Sequence, residues 1–73
     1  MSVFVATILP EGPGSKTIAT GNSPGEAVRN AWRVYFKKQQ KSELDLDDYL
    51  TDVTIKNGCI YDGEMPCGDV GPA

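Results

Sequence analysis

The sequence contains no histidine, and that one absence excludes a large share of the chemistry open to a small protein. With no imidazole there is no ready general base, no Cys–His nucleophile pair and no mixed Cys/His zinc site. Cysteine is scarce as well. Cys59 and Cys67 are too few for a disulfide framework and two ligands short of a structural zinc site, so no metal and no cofactor is expected. Their separation would close only a small loop if oxidised; in a reducing cytosol both stay as thiols. Long apolar runs are also missing, and nothing approaches the roughly 18–20 residues that a membrane helix needs. The apolar stretch from Val3 to Ala6, with Ile8 and Leu9, has neither a basic leader nor a small-residue cleavage site. No signal peptide is expected, and the expected compartment is the cytoplasm of a bacterial host cell.

What is present is one small domain's worth of chain: 73 residues, 40% of them hydrophobic, with a formal net charge of −3. The charge becomes informative when read by position. Residues 1–41 carry six bases (Lys16, Arg29, Arg33, Lys37, Lys38, Lys41) and two acids, a balance of +4. Residues 42–73 carry one base, Lys56, and eight acids, a balance of −7. Such asymmetry means internal pairing or a polar interaction surface.

Ser2 to Leu9 alternates Val3, Val5 and Thr7 with Phe4, Ala6 and Ile8, the period of a strand. Pro10 to Ser15 combines two prolines with two glycines and reads as a turn, after which Lys16 to Thr20 returns as a second strand. Ser23-Pro24-Gly25-Glu26 is a helix start: a serine N-cap, proline at the first helical position and glutamate at N3. The helix is expected to run to about Gln40, with Val28, Ala31, Trp32 and Tyr35 on its apolar face. Ser42-Glu43-Leu44-Asp45 can cap a short second helix reaching Leu50. Thr51 to Lys56 and Cys59 to Tyr61 then read as strands joined by the hairpin signal Asn57-Gly58. The expected fold is therefore α+β: a small, mostly antiparallel ββαββ sheet with one long amphipathic helix packed on one face. Residues 1–62 form the single domain, and 63–73, rich in glycine and proline, are expected to be an irregular C-terminal tail. A core this small is marginal, so a partner or a homodimer contact would help it.

Three superficial motifs fail on spacing. Gly14-Ser15-Lys16-Thr17 resembles the end of a phosphate-binding loop but lacks the upstream glycine and the following helix. A calcium loop begun at Glu43 would need glycine at its sixth position and glutamate at its twelfth; Asp48 and Thr54 stand there. A catalytic carboxylate pair would need a substrate cleft, which a chain this short rarely supplies, so no catalytic residue is assigned.

Two charged features remain. Arg29, Arg33, Lys37 and Lys41 recur every fourth residue and form a basic stripe along the long helix. Glu43, Asp45, Asp47 and Asp48 form an acidic segment immediately after it. The stripe is either a solvated face paired with the acids or a docking surface for an acidic protein or phosphates. The acidic segment can mimic a phosphate array toward a partner's nucleic-acid groove. Direct nucleic-acid binding is not expected of an acidic chain whose Trp32 and Tyr35 are to be buried, and it stands as the alternative.

The stretch Leu9-Pro10-Glu11-Gly12-Pro13-Gly14, followed by Gly21-Asn22-Ser23-Pro24-Gly25-Glu26-Ala27-Val28-Arg29-Asn30-Ala31, resembles the HicB-like antitoxin domain. That family shows a Pro-acid-x-Pro-Gly turn, a Gly-Asp-Thr-x-x-Glu-Ala helix start and an Asn-Ala pair soon after. The likeness covers about a third of the chain. Here the gap between Gly14 and Gly21 is longer, and no DNA-binding segment follows. The resemblance implies a partner-binding module without catalytic residues. By type alone, the chain also looks like the small phage-encoded inhibitors of bacterial defence, such as anti-CRISPR proteins. The expected function is thus a non-catalytic protein-binding inhibitor or antitoxin, acting on a larger protein or ribonucleoprotein complex.

Overall fold

A computed structural model describes residues 3–10 and 15–73. The order is β1 (Phe4–Ile8), β2 (Thr17–Gly21), α1 (Pro24–Lys38), α2 (Glu43–Leu50), β3 (Val53–Lys56), β4 (Cys59–Asp62) and β5 (Met65–Pro72). The strands form one sheet in the order β2-β1-β5-β4-β3, with every neighbouring pair antiparallel. The α+β expectation holds, and the sheet has five strands rather than four. Of the turn expected over Pro10 to Ser15, residues 11–14 lie outside the described residues, as does Gly14 of the phosphate-loop likeness.

The expected irregular tail is the correction. Residues 65–72 are not a tail but the middle strand of the sheet, hydrogen-bonded to β1 on one side and β4 on the other. Its prolines sit where a missing N–H does least harm, Pro66 near one end and Pro72 at the other. Its Gly68 is required by packing: a Cβ there would lie 2.1 Å from the Thr7 carbonyl oxygen and 2.9 Å from Ile8 Cα. Ile60 pairs with Gly68 and Tyr61 with Pro66, so Cys67 is the extra residue of a bulge. Glycine and proline, read locally as signs of irregular chain, are here the residues that let a central strand approach its neighbours.

Local signals elsewhere are obeyed. Ser23 Oγ accepts from the Glu26 amide at 3.1 Å with Pro24 at the helix start, and Glu26 Oε1 accepts in return from the Asn22 amide rather than from Ser23. Ser42 and Asp45 form a reciprocal capping box at 3.2 Å each way. Asn57 and Gly58, with φ of 50° and 80°, make the type I′ turn between β3 and β4. Gly63, with φ of 63°, begins the two-residue turn between β4 and β5.

α1 lies across β2 and β1, burying Ala27, Val28, Ala31, Trp32 and Phe36 against Ala6, Ile8 and Val70. Leu46 from α2 and Ile60 from β4 close the other half of this core. Trp32 is 2% exposed, as its position on the apolar face predicts, while Tyr35 is half-buried. α1 stops at Lys38, two residues before the expected end. Gln40 takes a left-handed φ of 58°, so that the Gln40 amide donates to the Lys37 carbonyl and the Lys41 amide to the Phe36 carbonyl. This reversal turns the chain back over Phe36 and starts α2.

Candidate functional site

The helix reversal decides the fate of the basic stripe. Because α1 ends before Lys41, that residue leaves the stripe, and its Nζ stands over the Phe36 ring, 5.2 Å from the centroid. Arg29 pairs with Asp47, and Arg33 Nε donates to Glu43 Oε1 at 3.1 Å. Arg33 also bonds Asn30 Oδ1 at 3.2 Å, and Asn30 in turn donates to the Thr20 carbonyl of edge strand β2 at 2.8 Å. Of the four stripe residues, only Lys37 has a side chain without an ion-pair or ring partner among the described residues. The structure thus brings the two charged segments together: part of the +4 and −7 is spent between α1 and α2. Exposed pairs of this kind are each worth about 0–1 kcal/mol, enough to orient two helices and too little to hold them.

The acids of α2, with Asp52 in the turn that follows it, divide by position. Glu43 and Asp47, four apart, face the arginines of α1. Asp45 is engaged at the helix cap, whereas Asp48 and Asp52 make no ion pair among the described residues. Together with Phe36, Lys41 and Tyr49, these three aspartates line an open groove. Leu44, on the same helix, is 80% exposed. Of the sequence-derived candidates, Arg29, Arg33, Glu43 and Asp47 are therefore internal partners, while Asp45, Asp48 and Lys41 border an accessible groove.

Beside that groove lies a pocket that inspection of charge alone misses. Its volume is about 260 Å3, and its walls include Trp32, Tyr35, Phe36, Tyr49, Lys41 and Asp62. Trp32 and Tyr49 are 4.8 Å apart between ring centroids, Phe36 and Tyr49 5.5 Å, and Trp32 and Tyr35 5.8 Å in an edge-on arrangement. Tyr49 donates its hydroxyl to Asp62 Oδ2 at 2.8 Å. Burial, and then this bond to a carboxylate, pushes the Tyr49 hydroxyl well above its ordinary pKa. The nearby Cys67 thiol is also pushed up, chiefly by burial and secondarily by Asp62, so it is a poor nucleophile. Trp32 Nε1 is buried without a hydrogen-bond partner among the described residues. The available signal for this site was the crowding of four of the six aromatic residues into positions 32–49; Asp62 has no local signal at all.

A further groove, lined by Val28, Leu50, Val53 and Ile55, is apolar apart from Arg29, which is already paired. Both cysteines are free thiols, Cys59 exposed and Cys67 half-buried. Among the described residues no three metal-ligating groups cluster, and no helix is long and apolar enough to cross a membrane. Comparison with known proteins finds no match to this chain among family models, curated proteins or solved structures.

Proposed function

We propose that the chain is a non-catalytic protein-binding module that inhibits or neutralises a larger macromolecular partner by covering part of its surface. An antitoxin, as the HicB-like stretch suggests, or a phage-encoded inhibitor of a host defence complex would act in this way in the bacterial cytoplasm. The observation that carries the reading is the groove of Asp45, Asp48 and Asp52 with half-buried Tyr49, on the helix that also exposes Leu44, where Asp48 and Asp52 make no ion pair among the described residues. A rim of unpaired charge around apolar area is the composition of a docking surface. The alternative, a nucleic-acid-binding accessory using the basic helix face, requires a free stripe; the pairing of Arg29 and Arg33 with acids of α2 weighs against it.

The test is recovery of a partner by the tagged protein from bacterial lysate, with and without nuclease. A stoichiometric protein complex that resists nuclease, is lost with Asp48→Lys and is kept with Arg33→Glu supports the docking surface named above. Loss of every partner on nuclease treatment overturns it in favour of nucleic acid.

A further inference from the structure

The pocket formed by Trp32, Tyr35, Phe36 and Tyr49 has the chemistry of a receptor for one cationic group. Aromatic ring faces carry negative potential and attract cations, and Phe36 already holds one in the Lys41 ammonium at 5.2 Å. Asp62 supplies the counter-charge. The Tyr49 hydroxyl occupies its Oδ2, and Oδ1 accepts no hydrogen bond among the described residues. The volume of about 260 Å3 falls below the roughly 300–1,000 Å3 of sites for drug-sized ligands, which suits a single side chain better than a cofactor. The adjoining groove adds Asp48 and Asp52, so the local field favours a cation; among the described lining residues Lys41 alone opposes it.

We propose that this pocket receives one arginine side chain of a partner protein, with its guanidinium on the free Asp62 oxygen and beside the Tyr49 ring. Arginine fits better than lysine because its planar group is weakly hydrated, stacks on aromatic faces and donates to a carboxylate in a fixed geometry. This rests on the reading of the chain as a protein-binding module and names the chemistry of the contact. Lys41, whose ammonium stands over the Phe36 ring on the wall of the same pocket, is then the one positive charge that opposes docking among the described lining residues.

The single tryptophan makes the pocket its own reporter, since Trp32 is a wall of it. The purified chain is titrated with N-acetyl-arginine amide and, separately, with the citrulline analogue, which has nearly the same shape and no charge. The expected result is a saturable change in Trp32 emission with arginine and at least about tenfold weaker response to citrulline. Asp62→Asn weakens arginine binding about tenfold, and Lys41→Met strengthens it by removing the competing charge. Equal response to the two compounds, or none to either, overturns the proposal. Weaker arginine binding in Lys41→Met also overturns it, since Lys41 would then contribute to the site instead of opposing a cation there. The arginine–citrulline comparison on the unmodified chain decides the matter even if Asp62→Asn fails to fold. The titration involves no partner, so its failure removes the arginine pocket alone, and partner recovery with Asp48→Lys judges the docking reading separately.

Discussion

Tyr49 on α2 donates its hydroxyl to Asp62 on β4 at 2.8 Å, joining the short helix to the distal half of the sheet across the floor of an aromatic pocket. Among the described residues no other side-chain hydrogen bond or ion pair ties α2 to the sheet: its remaining side-chain partners lie on α1 or at its own ends. Tyr49→Phe keeps the ring contacts with Trp32 and Phe36 and removes only this bond. A hydrogen bond to a carboxylate is worth about 1.5–3 kcal/mol, so the variant should lose about that much in urea unfolding, with an unchanged slope. A loss indistinguishable from zero would mean that water replaces the tyrosine without cost.

Alkaline pH should weaken the fold through Tyr49 and the nearby Cys67. The hydroxyl of Tyr49 and the thiol of Cys67 both lose their protons less readily in the folded chain than at their ordinary values of 10.0 and 9.0. A raised folded value means that the unfolded chain releases the proton first. The stability linked to these groups is complete below their ordinary values and declines as pH rises past them. Thermal midpoints should hold between pH 6 and about 8 and fall from about pH 9 upward. Tyr49→Phe should flatten the decline above about pH 10.

Gly68 and Gly71 stand three residues apart on β5 and should respond oppositely to alanine. At Gly68 the added methyl meets the backbone of β1 at 2.1 Å, and only separation of the two central strands relieves it. Gly68→Ala should cost about 3 kcal/mol or more, a large share of the stability of a chain this size. Gly71 has nothing within 4 Å of the same position, and Gly71→Ala should change stability by no more than about 0.5 kcal/mol. Circular dichroism and denaturant titration of the pair would show whether β5 is central.

Gln40 holds a left-handed φ of 58° at the end of α1, a conformation that glycine adopts without strain. Gln40→Gly should therefore stabilise the protein by about 1 kcal/mol. Thermal unfolding would register this as a higher midpoint, and a lower one would contradict the strain ascribed to this turn.

How much was legible in advance follows from how far each signal reaches along the chain. The Ser23-Pro24 helix start, the Ser42–Asp45 capping box and the Asn57-Gly58 turn were readable because each depends on partners within a few residues. The alternation of β1 was readable because its inward residues, Ala6 and Ile8, are fully buried. β5 is not legible locally because its stability comes from β1, some sixty residues earlier, and from β4, while its own Gly and Pro content argues against a strand. Asp62 is silent for a similar reason: nothing near it in the chain indicates the tyrosine thirteen residues before it.

Local sequence sets the helix starts, one hairpin turn, the buried face of α1 and the division of charge into a basic first part and an acidic second part. These are set by backbone sterics, capping and periodicity, which act over one or two turns of chain. Which charges remain available is settled by how the helices pack. The left-handed turn at Gln40 folds α2 back along α1, pairs Arg29 and Arg33 with Asp47 and Glu43, and leaves Asp48 and Asp52 beside an aromatic pocket. Ion pairs and sheet order depend on through-space distance, and that distance exists only once the chain has closed on itself.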